Sequence, residues 1–193
     1  MLTNIESVFK CVNRFVVQFS FRWALYCQLF DSGPDNIALL NASGAEVFSL
    51  CQKLMVDDAI MALSRLTDPP SSGKERDNAS IPHLLNLAAP HLDKSTNDEL
   101  QATLVQLRKL LQNALAHRSK ALAHADLRHA VQTKALPPVR YDELEGAMEE
   151  CRRIMRKLSK SLFGRTCSHE VIIPFDRGGS ALLAKLRKAS AMT

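Results

Sequence analysis

Glycine is scarce in this chain: seven residues in 193. With so few glycines and few turn clusters, a many-stranded β fold is excluded. Cysteine is present but unpatterned. Cys11, Cys27, Cys51, Cys151 and Cys167 form no C-x-x-C pair, their number is odd, and all but Cys167 fall inside helical patterns. That excludes a disulfide framework and a zinc site, and reads as reduced thiols in a cytoplasmic protein. Long apolar runs are absent too. The most apolar stretch, "FVVQFSFRWALYCQLF", is punctuated by Arg14, Gln18, Arg22 and Gln28, so no run of about 18 apolar residues exists. Neither a basic n-region nor a small-residue cleavage site precedes it, which points to a buried helix rather than a leader or a membrane span. No internal repeat and no low-complexity segment occurs.

What is there builds a core. The chain is 46% hydrophobic and 23% charged, enough to fold and too apolar to be disordered. Its net charge is +5 and its pI about 9.1, a weak pointer to an acidic partner such as RNA or DNA.

Helical periodicity dominates. Residues 4–30 carry Val8, Val12, Phe15, Phe19, Trp23, Tyr26 and Phe30 at helical spacing, and "DSGPD" ends the run. A short turn over 35–41 and a helix over 44–66 come next, the latter with Ser43 as its expected N-cap. This helix has one polar face (Ser49, Lys53, Asp57, Ser64) and is otherwise largely apolar, which predicts a central position. "TDPPSSGKERDNAS" reads as a loop. Ser80 is expected to cap a helix over 81–89, and Ser95 to open one running to about 123 through a chain of leucines. The last long helix spans 141–163, with Leu144, Met148, Cys151, Met155, Leu158 and Leu162 inward. "CSHEVIIPF" reads as a short strand or an extended arm, and "GGSALLAKLRK" as a short basic helix. The fold class is all-α: a bundle of four long helices over 1–163, with an arm and helix over 164–193 packed on the same domain.

Placed on an ideal helix, Arg118 lies seven residues after Leu111, within about 20° of the apolar line. His117 and His124 share the flank of that stripe, with Lys120 nearby. On the central helix Asp58 and Arg65 fall in line with Val47, Cys51 and Leu54, so a carboxylate and a guanidinium also point inward there. Unpaired buried charges cost several kcal/mol; Arg118 is therefore expected to pair with Asp58 or Asp68, and Arg65 with the same carboxylates. The plainer readings are a cationic helix end complementing the macrodipole, or a structural ion pair. Arg152, Arg153, Arg156 and Lys157, with Lys160, make a basic face that reads either as a solvated surface or as an RNA-binding one.

"HRSKALAHADL" resembles the signature of HEPN-domain proteins: Arg118, the polar Ser119, and His124 after five intervening residues, at the end of a long helix. "ALSRLTDPPSSGKERDNASIPHLL" is similar to the other half of the abortive-infection, AbiU-two-like branch, and "LPPVRYDELEGAMEECRRIM" to its last bundle helix. The bare spacing is unspecific, since Arg76 and His83 also satisfy it; the context carries the resemblance. Ser119 departs from the larger amide or acid usual at its position.

The resemblance implies a metal-independent endoribonuclease of toxin or phage-defence type, acting as a homodimer, with no cofactor and no membrane, and with RNA and a neutralising antitoxin as partners. His124 would take the proton of a ribose 2′-OH and Arg118 would stabilise the charge growing on the phosphate, leaving 2′,3′-cyclic phosphate and 5′-OH ends. Ser119, Lys120, His117, Asp58, Arg65 and Asp68 would support them, and Arg128, Arg152, Arg153, Arg156 and Lys157 would bind RNA. The alternatives are a catalytically silent homodimeric module that binds RNA or a protein partner, and a plain homodimeric scaffold in contact through the apolar 12–30 helix. On a straight helix Arg118 and His124 stand about 120° apart, so the expectation is a helix that distorts near Ala121–His124, or a groove completed by a second subunit.

Overall fold

Helix-forming runs separated by proline-containing breaks dictate the order of elements in the computed structural model, which describes residues 2–73, 77–122 and 135–192. Seven helices occur among them: α1 (Leu2–Phe30), α2 (Pro34–Thr67), α3 (Ile81–Ala88), α4 (Lys94–Leu110), α5 (Gln112–His117), α6 (Tyr141–Phe163) and α7 (Gly178–Ser190). A 3-10 turn extends α3 over Ala89–His91, and a π-helical turn succeeds α5 over Arg118–Leu122. The described residues contain no strand, only an isolated bridge between Ser71 and Asp77. The fold is all-α. No helix among the described residues is long and apolar enough to cross a membrane.

The chain forms two compact units, and α1 and α2 contribute to both. The first unit comprises residues 1–17 and 60–169; the second comprises 18–59 and 170–193. In the first, α4 packs against α6 more extensively than any other pair of elements. Its core draws Ile5, Phe9, Val12 and Val16 from α1, Leu63 and Leu66 from α2, Leu84 and Leu85 from α3, and Leu100, Leu104 and Leu107 from α4. The amphipathic face of α6 supplies Leu144, Met148, Cys151, Ile154, Met155 and Leu158. Each such side chain contributes on the order of 1.5–3 kcal/mol by leaving water. Burial pushes the Cys151 thiol up to about 12, so it stays protonated and inert. In the second unit Phe19, Trp23 and Tyr26 line one face of α1, with Trp23 and Tyr26 stacked at 4.9 Å, and Leu40 and Leu183 buried.

Local chemistry sets the boundaries, not always where the sequence pattern puts them. Ser80 caps α3 as expected, accepting from the His83 N–H at 3.4 Å. At α4, however, the cap is Asp93, not Ser95: its Oδ1 accepts from Thr96 N–H at 2.8 Å, and this bond first of all holds its carboxyl below the usual range. Ser43 does not cap a new helix. The stretches expected at 35–41 and 44–66 are joined end to end across non-helical backbone at Gly44, and Ser43 Oγ donates back to Leu39 O. The single helix expected to 123 breaks at Leu111 (φ −87°, ψ 2°) before α5. Helix α6 matches its expected span and ends in Gly164 at φ 63°, which lets the Arg165 N–H reach back to Ser159 O. "CSHEVIIPF" forms an irregular arm with no strand, ending in a turn that starts at Phe175.

The inward line drawn through α2 is not the buried one, although Ser49 and Lys53 of the expected polar face are exposed. Val47 is 63% and Leu54 55% exposed, and Asp58 and Arg65 are exposed as well, whereas Ser64 of the supposed polar face is fully buried. An apolar count around a helix does not say which side another helix will cover, and α2 serves two units with one sequence.

Candidate functional site

The loop after α2 is fastened by its own polar residues. Asn78 donates through Nδ2 to Pro69 O at 2.7 Å and through its backbone N–H to Pro70 O at 2.9 Å, while Ser72 Oγ bonds Asn78 Oδ1. Thr67 Oγ1 donates to the Leu63 and Ser64 carbonyls, closing the last turn of α2. Asp68 is thereby presented at a fixed point between a helix end and a pinned loop.

Opposite it stands Arg118, the first residue of the π turn. Its Nη1 donates to Asp68 Oδ1 at 2.5 Å and its Nη2 to Oδ2 at 3.3 Å, a bidentate pair whose side chains are 31% and 21% exposed. Two of the five guanidinium N–H groups are committed to the carboxylate, which leaves three without a partner among the described residues. Of the two carboxylates expected to take Arg118, Asp68 does so and Asp58 does not: Asp58 pairs with Arg22 at 2.6 Å in the second unit. Arg65 faces solvent rather than joining them.

The backbone leaves regular α geometry at Arg118, where the π turn begins. A π turn takes an extra residue per turn, and such turns recur at functional sites. Ser119 sits inside it with Oγ donating to the Leu115 and Ala116 carbonyls at 3.0 and 3.2 Å. Lys120 is exposed. His124 and Arg128 lie outside the described residues.

A second set of contacts ties the segment 135–140 to α5. His117 Nε2 meets Pro137 O at 2.7 Å; since a carbonyl only accepts, Nε2 is the donor. Asn113 Nδ2 donates to Pro138 O and to Glu143, whose Oε2 also takes the Arg140 backbone N–H at the start of α6. Three elements therefore meet within one turn of Arg118: the end of α2, the π turn, and the approach to α6.

The basic face of α6 is interleaved with carboxylates. Arg152 and Arg156 share Glu149; burial, the largest single influence, pushes its carboxyl up, but the two guanidinium groups together outweigh it and hold it below its ordinary range. Arg153 reaches Glu150 at 2.9 Å and Thr103 Oγ1 at 2.8 Å, and Lys157 reaches Glu99 at 2.6 Å.

His169 escaped the sequence reading. It is 4% exposed, its Nε2 lies 2.8 Å from Asn13 Oδ1, and its Nδ1 is buried without a partner. Burial first, then the nearby Arg156 and Arg152, pushes its pKa down to about 4, so the ring is neutral at pH 7. No periodic pattern signals it, because its burial depends on Asn13, far away in sequence. Among the described residues no group of three His, Cys, Asp or Glu gathers as a metal site.

No curated protein and no solved structure matches the chain. A family model does. With the bundle, the distorted helix at Arg118 and the pinned "RLTDPP" loop in view, the model HEPN_AbiU2 (AbiU2) matches residues 3–180, and the chain belongs to that HEPN family.

Proposed function

We propose that the protein is a metal-independent endoribonuclease of the toxin or phage-defence type, acting as a homodimer whose activity a cognate antitoxin restrains. The observation that carries this reading is the Arg118 guanidinium, half-buried and oriented by Asp68 at the π turn that opens the motif. Arg118 spends two N–H groups on Asp68 and keeps three for phosphate oxygens. His124 accepts the ribose 2′-OH proton; the 2′ oxygen bonds to phosphorus; the bond from phosphorus to the 5′ oxygen breaks, and a proton is returned to that oxygen. The products are a 2′,3′-cyclic phosphate and a 5′-OH, and DNA, lacking the 2′-OH, is inert. Arg128 and the α6 cations Arg152, Arg153, Arg156 and Lys157 line the RNA path, with phosphates competing against Glu149, Glu150 and Glu99 for them.

Cleavage of RNA by the full chain in EDTA, with cyclic-phosphate ends identified by mass spectrometry, is the expected result. Arg118→Ala and His124→Ala should each lower the rate by about 10²-fold or more. Unchanged cutting in both variants overturns the assignment.

The same bidentate pair also suits a second reading, a silent module in which Arg118 is a structural tie between α2 and the π turn. Binding of RNA without any cleavage selects it.

A further inference from the structure

The second unit leaves two apolar features unmatched. One is a groove of about 300 Å³ lined by Phe19, Trp23, Leu25, Leu54 and Met55, with Arg22 and Asp58 at its rim. The other is the tip of the C-terminal arm. The Arg177 N–H donates to Pro174 O at 2.9 Å, closing a turn that puts Phe175 and Asp176 at its two corners. Phe175 is 96% exposed and Ile172, three residues earlier, 89%. A large aromatic ring held out at a turn corner is costly to leave in water.

We propose that the arm of one copy docks in the groove of a second copy, Phe175 filling the cavity, Asp176 meeting Arg22 and Arg177 meeting Asp58. Both observations concern the second unit, and the inference does not depend on the ribonuclease reading. Three features favour another copy as occupant. The tip presents an apolar side chain followed by an acid and a base, and the groove presents an apolar cavity with a base and an acid at its rim; Arg22 and Asp58 are 43% and 47% exposed, Asp176 and Arg177 71% and 78%. The exposed stripe of α2 runs on from the groove through Leu54, Leu50 and Val47. Leu54 and Val47 are about 10 Å apart along the helix, and Ile172 and Phe175 span up to about 10 Å of extended chain, so Ile172 reaches Val47 when Phe175 is seated at Leu54. Finally, the charges beside the stripe are mixed — Glu46, Lys53, Asp57 with the Arg22–Asp58 pair — which suits a protein surface bearing both signs and not a polyanion. The arm's base is anchored within its own unit, since the Gly179 and Ser180 N–H groups both donate to Gln28 Oε1, and side chains of Gln28 and Leu29 leave no room for a Cβ at Gly179.

Mixing Phe175→Cys protein with Leu54→Cys protein under mild oxidation tests the exchange directly. A covalent dimer whose linked peptides join positions 54 and 175 is expected, absent from either variant alone. In parallel, Phe175→Asp should weaken self-association by about tenfold or more in sedimentation velocity, with helical circular dichroism unchanged. Failure of the mixed pair to cross-link, a Phe175–Leu54 double cysteine variant that closes only within one chain, or a Phe175→Asp protein that associates like its parent would each overturn the proposal.

Discussion

The two units differ in how much apolar surface they leave open: Val105 and Val17 are the most exposed large apolar side chains of the first, whereas the second exposes Val47, Leu50, Leu54, Ile172 and Phe175. Helix α6 carries a clean two-faced pattern, and its whole inward face, from Leu144 to Leu158, is buried. Helix α2 is apolar nearly all round, and in the second unit Val47, Leu50 and Leu54 stay open to solvent. The difference teaches that amphipathicity names a buried face only when the opposite face is polar enough to exclude itself. Where polarity does not decide, neighbours do, and an exposed remainder points to a partner rather than to a core.

The contrast can be broken most sharply by truncation. Ile154→Ala, fully buried on α6, should cost about 2–4 kcal/mol in urea unfolding, while an equal deletion at Leu50 should cost far less. Similar losses at both positions would erase the distinction between the units. Next in size is Arg118→Ala, which strands the mostly buried Asp68 carboxylate and should cost about 1–2 kcal/mol; a change under about 0.3 kcal/mol would show that the pair does not brace the first unit.

The pH dependence comes from His169. Its folded pKa, about 4, lies below the ordinary value of 6.5, so between those values the unfolded chain binds the proton more readily. Its contribution to stability is complete above about pH 6.5 and is lost as pH falls through about 4. His169→Gln should flatten the stability profile in that window, read as Tm against pH; an unaltered slope would refute it. The smallest effect is expected in the second unit: Leu50→Gln should shift monomer stability by no more than about 0.5 kcal/mol.

Much of the site was legible because short-range patterns carry it. Arg118 falls on the leucine line of its helix, and its need for a carboxylate is dictated by burial alone; that the partner is Asp68 rather than Asp58 depends on a loop pinned by Asn78, far from the π turn in sequence. A distortion is expected near Ala121–His124; the π turn at Arg118–Leu122 reaches Ala121 and Leu122, and His124 lies outside the described residues. The Asp93 cap, the tether from His117 to Pro137, and buried His169 went unread, because each depends on a local geometry or a distant neighbour that no periodicity encodes.

The sequence by itself determined an all-α chain of the HEPN type, its helix-rich order, and the last long helix with its inward face, because helical periodicity and turn residues act over a few positions. Only the tertiary structure decided which carboxylate holds Arg118, which side of α2 stays open, and which histidine is buried. Those outcomes depend on packing between segments far apart along the chain, where the competing pairings differ by little in local preference and by several kcal/mol in burial.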